Sequence, residues 1–89
     1  MTPHTQKLCA LNVIEALLPI ASKYPTGAFS SGNGGINIYA KNVNSVVRLS
    51  LYNHNNKKTV EFHNTTWKLT FYNVLNYCVA SDDFFEEPK

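Results

Sequence analysis

Acidic residues are nearly missing from most of this sequence. Across residues 1–81 only Glu15 and Glu61 carry negative charge, against seven Lys or Arg. A Ser or Cys nucleophile works through a base that a third group orients, and the carboxylates for that third place are scarce. Ser30 and Ser31 lack the strand-to-helix elbow that activates a serine. Histidine is equally thin: His4, His54 and His63 are scattered, so neither a catalytic constellation nor a metal cluster of His, Cys and carboxylates is indicated. The expectation is a protein that is not an enzyme and takes no cofactor and no metal. Cysteine is limited to Cys9 and Cys78 in apolar surroundings, too few for a disulfide framework and pointing to a reducing, cytoplasmic setting. Long hydrophobic runs are missing too, which excludes a membrane-spanning helix. The opening MTPHTQKLCALNVIEALL has no charged lead before an apolar core and does not read as a secretion signal.

Glycine is rare, at four residues, yet Gly32, Gly34 and Gly35 fall together in SSGNGG. A phosphate-binding loop follows a strand and opens a helix, so that the helix N-terminus faces the anion. The order here is the reverse, and no Gly-Lys-Ser or Gly-Lys-Thr follows. The stretch reads instead as a flexible Gly/Ser-rich loop over residues 24–35, with Gly32, Asn33, Gly34 and Gly35 as adaptable contacts.

What the chain does have is a folding composition. It is 44% hydrophobic over 89 residues, enough for one small domain over residues 1–89 and little more. Such a domain is marginally stable alone, which points to help from a partner or a homodimer. Eleven asparagines supply turns and caps. The net charge of +2 hides a division: a basic body and an acidic C-terminal tail over residues 82–89, with Asp82, Asp83, Glu86 and Glu87 against Lys89.

Leu8, Leu11, Val13, Ile14, Leu17 and Leu18 define a helix from Thr5 to Leu18, ended by Pro19. Three strands follow at Ile36–Lys41, Val46–Tyr52 and Thr59–His63, each alternating apolar with polar residues. Asn42-Val43-Asn44 and Asn53-His54-Asn55-Asn56 are the hairpin connections. Trp67, Phe71, Val74, Leu75 and Cys78 fall on one face of a second helix, capped by Thr65 or Thr66 and running to about Ala80. The alternation of Trp67, Leu69 and Phe71 leaves a fourth strand as the competing reading. Phe84 and Phe85 fold back on the core or grip a partner. The fold expected is therefore α+β: helix, three-stranded antiparallel sheet, helix, with both helices on one sheet face and the other face open. Double-stranded RNA-binding domains share that order, but the glycine-and-lysine run that opens their second helix is absent at Asn64-Thr65-Thr66-Trp67-Lys68, so no membership follows.

The open face would show Asn37, Tyr39, Lys41, Arg48, Ser50, Tyr52 and His63, with Lys57 and Lys58 at the neighbouring hairpin tip. Tyr and Arg are favoured at interface hot spots. The expectation is a small binding protein, a regulator or inhibitor of the kind carried by phages and mobile elements, docking on a larger protein or nucleoprotein complex through Tyr39, Lys41, Arg48, Tyr52, Lys57 and Lys58. The alternative is direct nucleic-acid binding, since aromatics interleaved with bases can stack on nucleobases and pair with phosphates.

Overall fold

The computed structural model describes residues 2–24 and 26–85. Glu86, Glu87 and Lys89 of the acidic tail lie outside the described residues. The first helix, α1, covers Pro3–Lys23. Pro3 suits the first turn, where a backbone N–H has no helical partner. Thr2 caps it, its hydroxyl accepting from the Thr5 N–H at 3.2 Å. Pro19 does not end the helix, as the sequence led one to expect. Its ring removes one hydrogen bond on an exposed side. The turn beyond it is retained because Ala21 is buried and the Tyr24 N–H donates to the Ile20 carbonyl. The buried stripe is Gln6, Ala10 and Ile14 beside Cys9, Val13, Leu17 and Ala21. Both rows advance four residues at a time, the spacing that keeps side chains on one helix face. Leu8 and Leu18, expected in that face, are exposed.

The sheet has four strands rather than three. They are β1 Gly27–Asn33, β2 Ile36–Val43, β3 Val46–Asn53 and β4 Lys58–Asn64, ordered β1-β2-β3-β4 with every neighbour antiparallel. The added strand occupies the segment expected to be a loop, and with it the order departs from that of double-stranded RNA-binding domains. Gly34 and Gly35, with φ of 59° and 84°, form the two-residue turn that folds β1 onto β2. Two positive φ values in succession match the twist of a hairpin. Asn44 and Ser45 repeat the device between β2 and β3, with φ of 53° and 62°. The helix–strand ambiguity after Thr65 resolves as helix: α2 runs Trp67–Ala80, capped by the Thr66 hydroxyl. A short 3-10 turn, Asp83–Phe85, follows.

Both helices cover one face of the sheet. α1 lies against β1 and β2, and α2 against β3 and β4. They run antiparallel, since Lys7 near the start of α1 meets Asp82 and the Val79 carbonyl at the end of α2, at 2.7 and 3.4 Å. That ion pair has an exposed carboxylate and contributes little. The strand residues facing the helices are Ile36, Ile38, Ala40, Val47, Leu49 and Leu51, with Phe29, Val60 and Phe62 half-buried at the margins. Aromatic rings close both ends of this layer. Phe29 meets Trp67 edge-on at 5.7 Å between centroids, and at the far end of α2 Tyr77 meets Phe62 and Phe84 at 5.5 and 5.8 Å.

Phe84 and Phe85 fold back on the core and are fully buried. Asn53 holds them there. Its amide nitrogen donates to Gln6 Oε1 at 2.7 Å and to the Phe84 carbonyl at 2.9 Å, while its oxygen accepts from the Asn55 backbone and side chain. Asn56 donates to the same Phe84 carbonyl, and Lys58 Nζ to that of Asp83 at 2.6 Å. An asparagine amide offers two donors and one oxygen acceptor, so the buried Asn53 is satisfied on both sides.

Candidate functional site

Among the described residues nothing covers the face of the sheet turned away from the helices, and strand register decides what stands beside what. Opposed residues in a ladder put their side chains on the same face. One row across the sheet is Ala28, Lys41, Arg48 and His63; the next is Ser30, Tyr39, Ser50 and Glu61; the third is Gly32, Asn37, Tyr52 and Thr59. Lys41 therefore stands directly across from Arg48, and Arg48 directly across from His63. Among the described residues Glu61 is the acid of this face, its Oε2 at 3.7 Å from His63 Nε2.

Tyr39 is 52% exposed beside this basic row. On the other side of the row, toward the Asn44–Ser45 turn, Val43 and Val46 face each other at 48% and 49% exposure. The sequence alone does not single out these two valines, because Val43 reads as part of the Asn42-Val43-Asn44 connection and Val46 only opens its strand. Continuing the alternation of Tyr39 and Lys41 by one step would have found Val43. Lys41, Val43, Val46 and Arg48 enclose a recess of about 330 Å³, and Tyr39, Lys41, Arg48, Ser50, Glu61 and His63 line a smaller one of about 160 Å³.

Tyr52 is on the same face but is half-buried and held. Its ring meets His54 edge-on at 4.4 Å, and the Asn37 amide lies 2.9 Å from His54 Nε2. Gly32 has no side chain where a Cβ would strike the Asn37 oxygen, so that glycine makes room for the Asn37–His54–Tyr52 group. Gly34 and Gly35 form the turn at the end of β1, and Asn33 closes it opposite Ile36. Lys57 and Lys58 are not joined to the basic row. Lys57 lies in the turn before β4 with φ of 61°, and Lys58 reaches the other way, to the C-terminal turn.

An apolar recess of about 440 Å³ lies on the helical side between α1 and α2, bordered by Ile14, Leu18, Leu69, Phe71, Tyr72 and Leu75. Cys9 and Cys78 are buried. Burial pushes the Cys78 thiol up to about 11, opposed in part by the positive charge of Lys7. Among the described residues, no three His, Cys, Asp or Glu side chains gather where they could hold a metal ion, and no helix is long and apolar enough to cross a membrane. No family model, curated protein or solved structure matches the chain.

Proposed function

We propose that this protein is a non-enzymatic binding protein, a regulator or inhibitor that docks on a larger protein or nucleoprotein complex through the uncovered face of its sheet. The observation that carries this reading is the basic row. Like charges directly opposite in a sheet are destabilising, and here Lys41 faces Arg48 on a surface that the fold leaves bare. An acidic partner surface converts that local cost into attraction and speeds encounter. Tyr39 on one side and Val43 with Val46 on the other supply the apolar contact that a charge row alone lacks. An aromatic, an arginine and aliphatic groups on one patch suit a protein surface.

The test is affinity capture with the wild-type chain and with Tyr39→Ala/Arg48→Ala, each run with and without nuclease. The expected result is one partner held by the wild type, resistant to nuclease, and weakened at least about 30-fold in the variant. A folded variant that retains full affinity overturns the assignment of this face. The second reading, direct nucleic-acid binding, draws on the exposed Tyr39 ring next to Lys41 and Arg48. It requires capture that nuclease abolishes and affinity for DNA or RNA that falls steeply with salt.

A further inference from the structure

We propose that β1 is a docking edge for a second copy of this chain, the two copies joining β1 to β1, antiparallel about Ser30, in one continuous sheet. An end strand offers a row of backbone groups with no partner, and folded proteins blunt such edges with charge, proline or a bulge. The two ends of this sheet differ in that respect. β4 carries Lys58, Glu61 and His63. β1, Gly-Ala-Phe-Ser-Ser-Gly-Asn, carries no charge and no proline, and it pairs with β2 residue for residue from Gly27 to Asn33 without a bulge.

The register makes that edge compatible with itself. Asn33 and Ile36 close the two-residue turn as a hydrogen-bonded pair, and pairs alternate from there. Ala28, Ser30 and Gly32 consequently turn their backbone N–H and C=O groups away from β2. Pairing two copies about Ser30 sets Ala28 across from Gly32 of the second copy and Ser30 across from itself. Every side chain on that side is small and uncharged, so the backbones approach freely. The same operation on β4 about Glu61 would oppose two carboxylates. Joining β1 to β4 would be head-to-tail and would propagate without closing. Tyr24, 52% exposed, lies 6.4 Å from the Phe29 ring and adds apolar surface beside the edge.

The two-fold axis of such a pair stands perpendicular to the sheet, so both basic rows face the same side. The dimer would present its partner with two copies of the Lys41–Arg48–His63 row, and bivalent contact raises avidity without new kinds of contact.

Sedimentation equilibrium from about 10 to 500 µM tests this by mass action. The wild type is expected to pass from monomer to dimer within that range. Ser30→Pro, which removes an outward N–H and leaves the β2 ladder intact, and Ser30→Lys, which sets two cations face to face, should each weaken association at least tenfold with an unchanged circular dichroism spectrum. Thr59→Lys on β4 should leave association as it is. A wild type that stays monomeric throughout overturns the proposal, as does dimerisation that survives Ser30→Lys or is lost in Thr59→Lys. If Ser30→Pro fails to fold, Ser30→Lys decides, because its side chain points to solvent.

Discussion

Replacing Asn53 by alanine should be among the most damaging single changes on the sheet. A chain of 89 residues has about 4–13 kcal/mol of folding stability in total. Asn53 is fully buried and makes four hydrogen bonds. Two of them organise the Asn55 turn, which is partly exposed and can turn to water. The Phe84 carbonyl keeps the Asn56 donor. The serious loss is at Gln6 Oε1, also fully buried, which is stripped of the Asn53 amide. Removing one member of a buried polar pair costs about 1–3 kcal/mol, and the small cavity adds to it. The expected total is about 2–4 kcal/mol. With a slope near 1 kcal/mol/M for a small domain, the urea midpoint should fall by roughly 2–4 M at constant slope. Asn53→Asp makes the argument sharper. It keeps an acceptor for Asn55 but turns a carboxylate toward two carbonyl oxygens, so at neutral pH it should be worse than alanine. Protonation supplies a donor again, so the gap should narrow as pH falls. The assay is urea unfolding followed by circular dichroism between pH 4 and 8. An Asn53→Ala variant that loses under 1 kcal/mol, or an aspartate variant as stable as wild type at pH 8, refutes the reasoning.

Three further outcomes follow from other parts of the molecule. Arg48→Thr removes a like-charge opposition and should raise stability by about 0.2–1 kcal/mol at low salt, a gain that shrinks as the Debye length shortens; a destabilised or salt-indifferent variant contradicts it. Phe84→Ala empties a fully buried position and should cost about 3–5 kcal/mol, read as a collapse of the thermal midpoint, whereas a shift of only a few degrees would mean the C-terminal turn is not part of the core. Burial raises the Cys78 thiol from 9.0 to about 11, so the folded state favours the protonated form. That contribution is whole below pH 9 and is lost as pH rises toward 11. At pH 8 iodoacetamide should label Cys78 far more slowly in the folded protein than in urea, by mass spectrometry; equal rates would refute the burial argument.

The helical face of α2 and the strands β2, β3 and β4 were legible because their apolar residues repeat at 3.6 and at 2. β1 was not, because Gly-Ala-Phe-Ser-Ser-Gly-Asn has a single large apolar side chain and no period to detect. It is a strand because β2 offers a ladder and the Gly34–Gly35 turn aims it there. The local signal was present all the same: Gly34-Gly35 is one of the residue pairs that favour a two-residue hairpin turn. Pro19 misled in the opposite direction, since a proline on the solvent side removes one bond without preventing the next turn from burying Ala21. For α1, hydrophobicity selected Leu8 and Leu18, but the sheet accepts the smaller Cys9 and Ala10 and the polar Gln6, whose partner Asn53 lies 47 residues away. On the open face, alternation placed Tyr39, Lys41, Arg48 and Tyr52 correctly on one side. That Lys58 is tied to Asp83 depends on a contact between segments 25 residues apart, which no local pattern records, and that Lys41 stands across from Arg48 depends on the register set by the Asn44–Ser45 turn, which was hidden while Asn42-Val43-Asn44 read as the connection.

Strand alternation also separates, residue by residue, the side chains that hold the fold from those that meet solvent. Ile38, Ala40, Leu49 and Leu51 hold the helices, while Tyr39, Lys41, Ser50 and Arg48 between them touch solvent. The outward set can be rewritten almost letter by letter with little penalty in folding. The outward surface could therefore diverge rapidly on an inherited core, and a laboratory library confined to those outward codons should yield mostly folded members.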